Sequence, residues 1–78
     1  MPNERENGTV RFFVRKYGFI ARDSGAADAY LGLDEVERAG MGRDPRQGDR
    51  ISFIAWLQSR GDAATQLEFI TPEKNDHG

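Results

Sequence analysis

Hydrophobic positions in this chain come in short runs punctuated by glycine at 8, 18, 25, 32, 40, 42, 48, 61 and 78, which leaves little room for long helices. Thr9 to Phe13 and Tyr17 to Ala21 are rich in β-branched and aromatic residues. With Asp28 to Leu33, Arg50 to Leu57 and Thr65 to Thr71 they predict five short strands. Their spacing predicts an all-β antiparallel barrel or sandwich. Asp34 and Glu37 have the spacing of a capping box and Gly40 stands where a helix would stop, so one short helical turn is expected between Asp34 and Gly42, between strands three and four. Turn chemistry marks Asp23-Ser24-Gly25 and Ser59-Arg60-Gly61-Asp62. In strand four the period of two puts Ile51, Phe53 and Ala55 on the core face and Ser52, Ile54 and Trp56 on the other. Trp56 is then either half-exposed on the outside or covered by a loop, and burial is the usual role of so large a ring.

The same rule applied to strands two and three gives a second pattern. Tyr17 and Phe19 share one face, while Gly18 and Ile20 share the other, where Ile20 enters the core. Tyr30 adds a third ring to the outer face, with Ala29 and Leu31 pointing inward. Phe12 or Phe13 of strand one adds a fourth, and a bulge in that strand would decide which. Five of the eight aromatic residues lie between positions 12 and 30. A sheet face carrying several rings beside cations suits unpaired nucleotides, because every base has a π-face to stack and every phosphate a charge to neutralise.

Composition narrows the field. With 78 residues the chain holds one domain and one small core, and without cysteine it has neither disulfides nor thiolate metal sites. The net charge of −2 hides a segregation: residues 8 to 22 carry Arg11, Arg15, Lys16 and Arg22 and no acid, while the remainder is strongly acidic. The one histidine, His77, falls in a stretch expected to be a tail. No nucleophile elbow, phosphate-cradling loop or metal-ligand spacing occurs, so no enzyme activity, cofactor or metal is expected. Met1 to Asn7 is polar rather than a basic and then apolar leader, and no run reaches the roughly 18 apolar residues of a membrane span. The expectation is a soluble, cytoplasmic protein without a membrane partner.

At residue level the chain resembles the cold-shock domain over about residues 8–71. Gly8-Thr9-Val10-Arg11-Phe12-Phe13 is similar to that family's Gly-Thr-Val-Lys-Trp-Phe opening, and Lys16-Tyr17-Gly18-Phe19-Ile20 to its Lys-Gly-Phe-Gly-Phe-Ile motif. Asp28-Ala29-Tyr30-Leu31-Gly32-Leu33 is similar to Asp-Val-Phe-Val-His-Phe, and Gly48-Asp49-Arg50-Ile51-Ser52-Phe53 to Gly-Gln-Lys-Val-Ser-Phe. The resemblance implies a small five-stranded OB-fold barrel that binds single-stranded RNA or DNA with low sequence specificity, acting as a chaperone that opposes secondary structure. It also implies nucleic-acid-binding roles: stacking for Phe12, Tyr17, Phe19 and Tyr30, and polar contacts for Arg11, Lys16 and Asp28.

The departures from the family pattern are specific. Gly32 and Leu33 replace His and Phe, no aromatic stands between Gly40 and Arg43, and the connection between strands one and two is two residues shorter. A shorter footprint and weaker affinity than in a full-platform member are therefore expected. Residues 1–7 and 72–78 are expected as flexible tails flanking the domain of residues 8–71. The alternative reading is a drifted barrel whose aromatic face serves protein binding or self-association, as a monomer or weak homodimer.

Overall fold

The computed structural model describes residues 4–58 and 61–70, the side chain of Gln58 excepted. Strands β1 (Arg5–Val14), β2 (Tyr17–Arg22) and β3 (Ala29–Gly32) are followed by helix α1 (Leu33–Ala39) and by strands β4 (Arg50–Gln58) and β5 (Gly61–Phe69). They close into a barrel in the order β1-β2-β3-β5-β4. The pairings are antiparallel except at the seam, where β3 and β5 run parallel with Tyr30 opposite Ala63. Among the described residues no edge strand is then left for association with another chain.

β1 makes closure possible because it serves two neighbours. Its first half pairs with β4, from Arg5 opposite Ile54 to Thr9 opposite Arg50, and its second half pairs with β2. The strand begins at Arg5, four residues before the expected Thr9, because polar Arg5, Glu6 and Asn7 gain ladder partners on β4. Likewise β5 begins at Gly61 rather than Thr65, since Gly61 to Ala64 pair with β4 across the turn. Residues 59–60 of the expected turn, Thr71, the 72–78 tail and His77 lie outside the described residues.

The interior is filled as the alternation requires. Val10, Ile20, Leu31, Ile51 and Phe53 are fully buried, with Ala29, Ala55, Ala64, Leu67 and Val36 around them. Helix α1 contributes Val36, and Leu33, Ala39 and Met41 pack partly buried against the same cluster. The helix starts one residue earlier than expected, and the Asp34–Glu37 capping box does not form. Gly32 is the N-cap without a side-chain cap bond, and Asp34 lies inside the first turn. Leu33 anchors the earlier start, because its backbone N–H, one of the unpaired donors of the first turn, donates to the Lys16 carbonyl at 2.9 Å. Gly40 ends the helix in the left-handed conformation, φ 64°, donating to the Glu37 carbonyl.

Trp56 departs from the expectation of burial. It is 56% exposed on the outer face opposite Ala63, while Phe53 and branched aliphatic residues fill the interior.

Candidate nucleic-acid interface

The outer face of β1, β2 and β3 is built by one irregularity and one absent side chain. Val10 pairs with Ile20 but Phe12 pairs with Phe19, so Arg11 is an extra, bulged residue. Val10 points into the core, Arg11 and Phe12 both turn outward, and Phe13 returns to pack against the core. The bulge therefore selects Phe12 as the outer ring of β1. Gly18, opposite Phe13, lets the strands approach: a Cβ there would lie 2.0 Å from the Phe12 carbonyl oxygen and 2.8 Å from Phe13 Cα.

The four rings form one cluster. Phe19 sits at its centre, half-buried, with ring centroids 5.8 Å from Phe12, 6.2 Å from Tyr17 and 5.9 Å from Tyr30, all edge-to-face. Phe12 meets Tyr17 edge-on at 6.0 Å, and the Tyr17 and Tyr30 rings are nearly parallel, 10° apart at 6.3 Å. Such contacts fix ring orientation and contribute roughly 0.5–1.5 kcal/mol each beyond area burial. Phe12, Tyr17 and Tyr30 keep 38%, 42% and 42% of their surface open. Tyr30 lies across Gly32, where a Cβ would come within 3.1 Å of its ring.

The cations of the basic stretch fall into three groups. Arg22 is locked in the structure: its Nε and Nη2 donate to Glu6 at 3.0 and 2.8 Å and its Nη1 to Asp62, leaving the side chain 11% exposed. Hydrogen bonds donated to Glu6 outweigh the effect of burial and hold the Arg22 pKa above its ordinary value. Arg22 thus ties β1, β2 and β5 together and offers nothing to a phosphate. Arg11 Nε donates to Asp28 Oδ2 at 2.6 Å, so these two candidates meet each other beside the rings, with Arg11 largely exposed. Arg15 and Lys16 form the two-residue turn between β1 and β2, with Arg15 at φ 55°. Both are exposed and have no acidic partner among the described residues.

Elsewhere, ion pairs brace the loops. Arg50 Nη1 and Nη2 grip Asp23 at 2.8 and 2.7 Å, and this pairing pulls the Asp23 carboxyl below its usual range. Burial pushes Asp49 the other way, but hydrogen bonds from Arg43 and the Arg46 backbone N–H prevail and lower it too. The Arg43 guanidinium also lies 4.6 Å over the Phe69 ring. No group of acidic or imidazole side chains among the described residues could hold a metal ion. Nor is any described helix long and apolar enough to cross a membrane.

Of the sequence-derived candidates, the structure brings Phe12, Tyr17, Phe19 and Tyr30 into one cluster and sets Arg11 and Asp28 in contact. It leaves Lys16 at the tip of the turn. Sequence reasoning weighted burial for Trp56, although the strand-four alternation already placed it opposite the core residues and left half-exposure open. It missed the partners of Arg22, which lie 16 and 40 residues away.

Comparison with known proteins bears on this geometry. No protein-family model matches the sequence. The chain is 42% identical over 48 residues to a probable cold shock protein, y4cH, of Sinorhizobium fredii (strain NBRC 101917 / NGR234), covering 59% of this chain and 68% of that one. It is 39% identical over 49 residues to cold shock protein CspA of Rhizobium meliloti (strain 1021), covering 60% and 70%. Among solved structures, drosophila Unr CSD456 superposes with a TM-score of 0.73 at 19% identity over 95% of this chain, which spans 30% of that protein and shares its fold. Close sequence relatives of similar extent and a shared closed barrel lead to one conclusion: the chain belongs to the cold shock protein family.

Proposed function

We propose that this protein binds single-stranded nucleic acid, RNA or DNA, by stacking unpaired bases on Phe12, Tyr17 and Tyr30, with Phe19 as the ring that holds those three in place. The observation that carries the reading is the exposed four-ring cluster on one sheet face. Arg15 and Lys16 at the turn supply the free positive charge, and Arg11 supplies a partly engaged one. Asp28 positions Arg11 through Oδ2 and keeps Oδ1 as an acceptor for a base amine.

Three stacks at about 1–3 kcal/mol each amount to roughly 3–9 kcal/mol before the cost of ordering the strand. That is micromolar affinity or weaker. Weak, sequence-tolerant stacking favours the open form of a hairpin by mass action and releases it readily, which is how a chaperone of nucleic-acid structure works without ATP. Duplexes hide the π-faces, so the test is a titration of labelled oligothymidine against a duplex of equal length. Preference for the single strand by at least tenfold is expected, and equal affinity for both removes the stacking argument.

A further inference from the structure

The outer face does not end at Tyr30. Tyr30 stands opposite Ala63 on β5, and Ala63 stands opposite Trp56 on β4, so the three share a row across the barrel seam. Between the two rings lies a groove of about 410 Å³, floored by Ala63, whose methyl group leaves it open, and bordered by Gly32, which brings no side chain into it. Trp56 has no ring partner among the described residues. One wall is acidic, formed by Asp34 and Glu35 of α1. Glu35 already accepts from Thr65 Oγ1 at 3.1 Å and lies 3.8 Å from Arg38, whereas Asp34 has no side-chain partner among the described residues.

We infer that Trp56 is an additional base-stacking subsite, continuous with the proposed face, and that it prefers a base carrying an exocyclic amine. This inference rests on the reading of the face as a single-strand binder. A carboxylate repels a phosphate and accepts hydrogen bonds only, so a strand enters this groove base-first. Cytosine and adenine present an amino group to Asp34, while thymine turns carbonyl oxygens toward it on either side of its one imino hydrogen. The indole supplies the stacking surface and Asp34 the discrimination, at a place where the acidic wall excludes the backbone.

The chain contains a single tryptophan, so its fluorescence reports this subsite alone. Six-residue oligocytidine and oligothymidine deoxynucleotides are titrated while intrinsic fluorescence and the anisotropy of a labelled strand are followed together. Quenching that tracks the anisotropy is expected, with tighter binding of the cytosine strand. Trp56→Ala should weaken binding by about 5- to 150-fold, the factor equivalent to losing one stacked base. Trp56→Phe should restore most of it, and Asp34→Asn should bring the two oligonucleotides to equal affinity. Circular dichroism of each variant checks that the barrel persists.

A strand that binds by anisotropy while the fluorescence and the Trp56→Ala affinity stay unchanged overturns the subsite and leaves the stacking face intact. Loss of self-association in Trp56→Ala without any change in oligonucleotide affinity assigns the residue to a protein contact and overturns it as well. Absence of binding by wild type overturns the stacking face itself, and with it this extension.

Discussion

Replacing Gly18 by Ala tests whether the ring face depends on the close approach of β1 and β2. The added methyl carbon would stand 2.0 Å from the Phe12 carbonyl oxygen, 2.8 Å from Phe13 Cα and 3.0 Å from the Phe12 carbonyl carbon. All three neighbours are backbone, so no side chain can rotate away. Bringing the nearest contact to even 3.0 Å requires a displacement of about 1 Å between paired strands, at the bulge that sets Phe12 outward. Overpacking of this kind costs about 1–3 kcal/mol, and a rigid backbone neighbour puts Gly18→Ala at about 3. A domain of this size has only about 4–12 kcal/mol in total, and each kcal/mol lowers Tm by about 4–8 °C. A fall in Tm of roughly 12–24 °C is therefore expected by circular dichroism, with weakened oligonucleotide binding below the transition. The reasoning fails if Tm moves by less than about 3 °C and the affinity is retained.

Removing the guanidinium with Arg22→Met should destabilise by about 3 kcal/mol, because Glu6 and Asp62 are left facing each other without their shared partner. Urea denaturation checks this, and the affinity of the folded fraction for oligothymidine should be unchanged because Arg22 faces no ligand. Stability should fall with acid: the Asp23 and Asp49 carboxyls are held below their usual range by folding, so their contribution is complete above the unfolded value of about 3.9 and is lost as pH drops through the folded values. Thermal melts between pH 7 and pH 2 should show the loss, and a double Asp23→Asn, Asp49→Asn variant should show a flatter profile. Converting Arg15 and Lys16 to Ala should reduce the slope of log affinity against log salt by about 1.4, at about 0.7 per neutralised phosphate. An unchanged slope would mean that the turn does not meet the strand's backbone.

Parity alone made much of the face legible, because Ile20, Ala29 and Leu31 must fill the core and their neighbours Phe19 and Tyr30 then have only the outside. It left Phe12 and Phe13 undecided, because a bulged Arg11 breaks the alternation without a local residue signal. The capping box misled because a tertiary hydrogen bond from the Leu33 N–H to the Lys16 carbonyl starts the helix one residue earlier and puts Asp34 inside the first turn. Burial was favoured for Trp56 because ring size, which favours burial in general, outweighed its alternation, whereas Ile51, Phe53 and Ala55 take the interior positions of β4. The apparent +4 of residues 8 to 22 overstated the binding charge, since the acids that neutralise Arg22 are remote in sequence and adjacent only in the closed barrel.

The proposed function requires that bases stack on the outer rings of β1, β2 and β3. Ring-proton NMR shifts during titration with a short single strand test it most directly. Upfield movement of the Phe12, Tyr17 and Tyr30 resonances is expected, with buried Phe53 unmoved. Binding that leaves those three rings unshifted contradicts it.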